Sequence, residues 1–353
     1  MPGRLRTLRR CREPPRQGYA VAMPPITIGL SNIRMPTGSD EEMAFHTFRN
    51  YLEATCNLAS YLYPHPNGLL AGVADAVKSR PWRGQPAGTK TLSPRAGQIL
   101  RNAWATEVLL NAPRTLGDDL VTFANLWTPV QAYYAVFNGI TALSHVMTAN
   151  PPHGHVRLLS WAATAAGGAQ APFVPPWTAR VSGAPGAWTY QDLGPGPINE
   201  HISNLVAPHV ANAPSLLAMG LRTTRKTQIE EHRESWKKGL TTVAGKPRAN
   251  LPTAVLMTRA AGMRPTTLFD LLYRLRIRSN YQEGDALLTG PLSPSDAADF
   301  HNALCAIVGA TLLTVEVFLA HHVGGPQLMA CARRVPIPHT LSDATVVART
   351  HLW

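Results

Sequence analysis

With 353 residues, the chain is long enough for one large or two ordinary domains. Its 45% hydrophobic and 15% charged residues can bury a core and exclude disorder throughout, while 27 glycines and 31 prolines require much irregular connection. The formal charge of +12 favours phosphate-rich or anionic partners.

Six arginines against one glutamate fall in residues 1–22, which read as a disordered basic leader or as sequence ahead of a start at Met23. Pro14, Pro15 and Arg16 follow Arg9-Arg10 where a signal peptide would need an apolar run. Cys11, Cys56, Cys305 and Cys331 form no CxxC pair, so neither a zinc clip nor a local disulfide framework is indicated. A cytosolic location is expected.

Residues 23–120 read as an N-terminal helical region. Ser39 and Glu42 have capping-box spacing, and Phe48, Tyr51, Leu52, Thr55, Leu58 and Leu62 then recur on one helical face. This predicts a helix of about 22 residues that ends where Pro64 and Pro66 remove backbone donors. A short helix over residues 69–78 and a loop follow, and Ser93-Pro94 supplies an N-cap and first-turn proline for a helix through Leu110. Thr128-Pro129 repeats that signal ahead of Val130, Tyr133, Tyr134, Phe137, Ile140 and Leu143 at core-helix spacing.

His153 and His155 in "PPHGH" read as a polar loop, because no third ligand stands at a supporting metal spacing. Six prolines and four glycines in residues 171–197 rule out a continued helix, yet "WTARV" and "AWTYQ" flank the turn-like "SGAPG" and predict a small β-hairpin. Trp177, Trp188 and Trp236 read as anchors of this insertion. Residues 222–239 form a charged helix stopped by Gly239, and its cluster of Arg222, Arg225, Lys226, Arg233, Lys237 and Lys238 is offset by Glu230, Glu231 and Glu234. That is the pattern of a solvated face.

A helix is predicted over residues 266–278. Ser293-Pro294-Ser295-Asp296 then starts an apolar stripe of Leu304, Ile307, Val308, Leu312, Val315 and Leu319, ended by Gly324-Gly325. Glu316 interrupts the run, and a carboxylate at a bilayer centre costs at least about 2.5 kcal/mol, so a buried helix is expected rather than a membrane span. His321-His322 suits the negative end of that helix dipole. Residues 325–353 read as a C-terminal tail.

"AYYAVFNGITAL", "LFDLLYRLRIRSNYQEGDALL" and "SPSDAADFHNALCAIVGATLLTVEVFLA" together resemble the core helices of HEPN-superfamily domains. The resemblance covers residues 121–324, broken by an insertion at about 154–248. It implies an antiparallel helical bundle, so the fold expected is mainly α, with the small hairpin predicted above as an insertion. It further implies a homodimer and a habitat among prokaryotic toxin, defence and nucleotidyltransferase-associated proteins, with RNA or a partner protein (an antitoxin or nucleotidyltransferase) as ligand.

Ribonuclease members of that family place His four to six residues after Arg. Here the window after Arg276 or Arg278 holds no imidazole, and Asn138 stands where many relatives carry a His after the Tyr/Phe string. In Arg334 and His339 the spacing recurs, but Pro336 and Pro338 exclude the helix that would orient them. The resemblance therefore implies an RNA-binding or complex-forming role without family-type catalysis. An RNA-cleaving toxin with a non-standard site and a structural partner-binding protein are the alternatives, and no cofactor or metal is called for.

The candidate binding residues are Arg274, Arg278, Asn280, Tyr281, Arg222, Arg225 and Lys226. Arg274 and Arg278 are four apart and share a helix face, so they can clamp one anionic group. Arg276 projects elsewhere, toward a carboxylate such as Asp270 or Glu283, and Tyr281 either stacks on a base or packs beneath the last helix.

Overall fold

The computed structural model describes residues 39–166, 168–241, 249–281, 284–338, 341 and 346–353. The readings of residues 1–22, Met23, Glu283 and His339 lie outside them. Helices dominate: α1 (Asp40–Leu62), α2 (Leu69–Lys78), α3 (Pro94–Asn111), α4 (Asp118–Ala124), α5 (Thr128–Met147) and α6 (His155–Ala166) precede a hairpin of β1 (Arg180–Ala184) and β2 (Ala187–Gln191). After it come α7 (Ala213–Lys237), α8 (Thr253–Ala261), β3 (Thr266–Thr267), α9 (Leu268–Tyr281), α10 (Gly284–Thr289), α11 (Pro294–Leu319), α12 (Gly325–Ala332) and α13 (Val346–Arg349). The expected mainly helical fold with a small β insertion is the one observed.

Local signals set most boundaries. Ser39 and Ser293 each accept a hydrogen bond from the backbone N–H three residues on, capping α1 and α11, and Ser93 does the same for α3. Pro185-Gly186 turns the antiparallel hairpin, in which Arg180 pairs with Gln191 and Ala184 with Ala187. β3 adds an unanticipated third strand, giving the order β2-β1-β3. α7 begins nine residues before the charged stretch, because the apolar "APSLLAMGL" extends the same helical face into the core.

α11 runs through the centre. Residues 303–319 are all buried, and α1, α2, α4 and α5 pack around it. Gly139 lets α5 approach α11 closely, since a Cβ there would lie 2.6 Å from Leu312. By length and composition the apolar helix of residues 294–332 could cross a membrane, but 94% of its apolar window is buried inside the protein. The insertion is pinned to the same helix: buried Trp177 donates from its indole Nε1 to Thr311 Oγ1 at 2.8 Å.

Burying α11 also buries Glu316. Arg349, arriving from the C-terminal segment, donates to Glu316 at 2.6 and 3.1 Å and bonds both carboxylate oxygens of Glu107 from α3. Trp104 and Trp353 add indole N–H donors to Glu316 at 2.8 and 3.2 Å. Residues 346–353 are thus part of the packed body rather than a tail. Burial pushes the Glu107 carboxyl up, against the pull of Arg349.

His322 corrects another expectation. It is buried against Trp82 and Phe318, and desolvation first, then His321 and Lys90, push it down to about 4, so it is neutral at pH 7 rather than a cation at a helix end.

On α1, Arg49 and Glu53 are buried together, with Arg49 bridging to Asp296 of α11. Desolvation raises Glu53 to about 7, opposed by Arg49. Between pH 4.5 and 7 the folded state therefore holds a proton that the unfolded chain has lost, so this group's stabilisation is complete at low pH and disappears as pH rises toward 7.

Two outcomes are expected. Arg349→Ala should lower unfolding free energy by about 3–5 kcal/mol, because two buried carboxylates lose their counter-ion; Arg349→Met with Glu107→Gln and Glu316→Gln should recover much of it. Denaturant titration checks both. Glu53→Gln should remove a fall in stability with rising pH on the order of 3 kcal/mol between pH 4.5 and 7, read as the difference between variant and wild-type melting curves.

Candidate functional site

Helical spacing creates two basic pairs, Arg222 with Lys226 on α7 and Arg274 with Arg278 on α9. The fold turns both onto one cleft of about 370 Å³, closed by Asp40, Met43, Thr47, Phe48 and Tyr51 of α1 with Asn204, Met219 and Thr223. Four basic side chains therefore face one acidic one, Asp40. Gly220 lets α7 lie directly on Tyr51, since a Cβ there would come within 3.0 Å of its ring.

Phe48 orders the cleft. The guanidinium carbons of Arg274 and Arg278 each lie 5.5 Å from its ring centroid. Stacking of this kind engages the guanidinium face, whereas carboxylates and phosphates are recognised through its N–H edge. Arg222 is held by Glu200, through the carboxylate at 3.3 Å and the backbone carbonyl at 3.1 Å, and Lys226 is exposed at the rim. Burial pushes the Tyr51 hydroxyl pKa up, with Thr223 and Arg274 pulling the other way, so the cleft floor is a neutral phenol.

Beyond Arg274 and Arg278 lies a second cleft of about 510 Å³, between α6, α7 and α9. Its walls include Leu159, Thr227, Met263, Tyr273 and Ile277, and Arg274 and Arg278 line it too. Its floor is the buried Asp270, which accepts from Arg264 at 2.9 Å, Gln228 at 3.1 Å, the Thr267 N–H at 2.8 Å and the Thr267 hydroxyl at 3.0 Å. That carboxylate is fully occupied.

The cleft thus unites Arg222, Lys226, Arg274 and Arg278 of the sequence candidates. Arg225 is a correction: expected on a solvated face, it is completely buried, donating to the carbonyls of Gly183 at 2.9 Å, Arg264 at 2.8 Å and Ala260 at 2.8 Å. Three residues from Arg222, it points about 60° round the helix to the side where the hairpin and α8 pack. Asn280 is half-buried near the end of α9 and lines neither cleft. Tyr281 ends α9, and its side chain lies outside the described residues.

Arg276 also departs from expectation. Among the described residues it meets, instead of Asp270, Tyr133, Tyr134 and Tyr273 at 6.0, 5.4 and 5.9 Å from their ring centroids, and donates to the Tyr134 hydroxyl at 3.1 Å. Asp270 was already taken by Arg264. His155, read as a loop residue, opens α6 and joins this aromatic group, its Nδ1 2.7 Å from the Tyr133 hydroxyl. Burial and then Arg276 push its pKa down, leaving a neutral imidazole at pH 7. The sequence signal that could have found it is the Tyr-Tyr pair on α5, which needs a partner for a buried hydroxyl.

No three or more His, Cys, Asp or Glu among the described residues group as metal ligands. Compared with family models, curated proteins and solved structures, the chain matches none.

The two arginine environments should separate in melting experiments. Arg225→Ala should destabilise by about 3 kcal/mol, since buried carbonyls lose a charged donor, while Arg278→Ala should cost about 1 kcal/mol or less, the scale of a partly exposed cation–π contact. Comparable losses in the two variants would mean that Arg278 is a structural cation.

Proposed function

We propose that the chain binds single-stranded RNA through the phosphates, gripping them in the basic cleft between α1, α7 and α9. One observation carries this reading: Arg222 and Lys226 from one helix and Arg274 and Arg278 from another face the same cleft, with Phe48 stacked beneath two of them. A cleft with apolar walls and a majority of cations offers a phosphodiester both charge and a surface poorer in competing water. Binding is favoured over cleavage because the described residues lining this cleft include no histidine, and proton transfer at a 2′-hydroxyl needs a group near neutral pKa.

The HEPN-like strings in residues 121–324 support the same reading, with the cytosol as its setting and a prokaryotic defence or toxin-associated complex as its context. A second reading, a partner-binding role, is favoured by a different surface. Leu116, Leu120, Phe123 and Trp127, on α4 and its flanks, are all exposed, and a group of large exposed apolar side chains within twelve residues is of the kind that marks protein contacts. A homodimer or a partner protein would cover it.

Fluorescence anisotropy of the full chain with a labelled single-stranded RNA tests the primary reading. Affinity should fall steeply with salt. In the variant Lys226→Ala, Arg274→Ala, Arg278→Ala, the slope of log affinity against log salt should drop by about 0.7 for each phosphate contact removed. An unchanged slope in the variant would move RNA binding elsewhere on the protein, and no binding at low salt would leave the partner-binding reading.

A further inference from the structure

Helix α9 presents two stripes side by side. Arg274 and Arg278 form one, Tyr273 and Ile277 the next, and each pair is spaced by one turn. The arginines border both clefts, whereas Tyr273 and Ile277 line only the second. An anion held at Arg274 and Arg278 therefore has any group attached to it directed along the first cleft or into the second.

The second cleft has the character of a site for a flat organic group. Its volume of about 510 Å³ falls within the range of roughly 300–1,000 Å³ typical of small-ligand pockets. Leu159, Met263 and Ile277 supply apolar walls, and Tyr273 supplies an aromatic one. The floor adds no uncompensated charge, because Arg264 neutralises Asp270 and Gln228 bridges Asp270 to Thr266. Glu231 is the other acid, exposed at the mouth beside His232, whose ring stacks on Trp236 with centroids 5.7 Å apart.

We propose that this second cleft takes the heterocyclic base of a nucleoside phosphate whose phosphate is held by Arg274 and Arg278. The proposal rests on the phosphate-gripping reading of the first cleft and adds what that reading lacks, a place for a base. A base seated there is unstacked from its neighbours, so a duplex is rejected and a single strand or a free nucleotide is accepted. Aromatic and apolar walls seat any base by its face, so the pocket discriminates base from no base more strongly than one base from another.

The test compares three probes on the full chain: a labelled single-stranded oligonucleotide, an abasic oligonucleotide of the same length and charge, and nucleoside monophosphates as competitors. The base-bearing strand should bind roughly tenfold or more tighter than the abasic one. Ile277→Trp, and independently Ser160→Phe from the α6 wall, should bring the base-bearing affinity down to that of the abasic strand, and both variants should retain the wild-type far-UV spectrum.

Displacement of the strand by nucleoside monophosphates from wild type but not from Ile277→Trp identifies the free nucleotide as a ligand of the same pocket. Displacement failing while the base-dependent difference holds identifies a strand. Equal affinity for base-bearing and abasic strands in wild type overturns the base pocket and leaves the phosphate grip standing. If neither strand binds, the phosphate grip itself falls, and the base pocket with it.

Discussion

A helix whose residues 303–319 are all buried can exist in water only if every polar atom along it finds a partner inside the protein, and Glu316 sets the hardest case. A lone ionised carboxylate at that depth would cost several kcal/mol. Arg349 removes most of that cost by meeting Glu316 and Glu107 at once, and two tryptophan indoles complete the Glu316 shell. α3, α11 and residues 346–353 are thereby tied to one another by charge as well as by packing. α11 is also the surface against which α1, α2, α4 and α5 rest, so this pairing anchors the helix on which they pack.

The clefts inherit their geometry from that frame through a second buried arginine. Arg225 collects carbonyls from β1, the end of α8 and the segment before β3 and so ties three chain stretches to one side chain. It fixes where β3 begins, and β3 runs directly into α9. The facing of Arg274 and Arg278 toward Arg222 and Lys226 is thus downstream of an arginine that never touches the cleft. Charge in this protein does two separate jobs, and burial decides which arginine does which.

Much of the fold was legible because its signals are local. A serine with its N-terminal helix turn, a proline in the first helical turn, or a Pro-Gly turn between alternating residues acts within a few positions, and α1, α3, α5, α11 and the hairpin follow from such cues. α4, α6 and α8 lacked them: Gly117 precedes α4, "PPHG" precedes α6, and Pro252 stands ahead of α8 with no side-chain cap. The basic pairs could be read from their i, i+4 spacing. That Arg222 and Arg225, three residues apart, would go to opposite fates could not, because only the packed position of the hairpin distinguishes their sides of α7. Nor could Arg349 be assigned to Glu107, 242 residues away, since no local rule connects them.

What remains is why a site would place aromatic rings under its cations. A bare pair of arginines in solvent holds a phosphate loosely, because two long side chains must be ordered on binding and salt screens the attraction. Phe48 orders both guanidinium groups before any ligand arrives, so less entropy is lost when one does. On the opposite face of α9, Tyr133, Tyr134 and Tyr273 do the same for Arg276. The neutral His155 lies within that second cluster, on the side of α9 away from the basic cleft and hydrogen-bonded to a tyrosine. An imidazole so placed stabilises the α5–α6–α9 junction and stands apart from Arg274 and Arg278. The first cleft thus has its cations ordered by an aromatic ring and no histidine among its described lining residues, whereas Glu231 and His232 stand at the second cleft, which the same two arginines border.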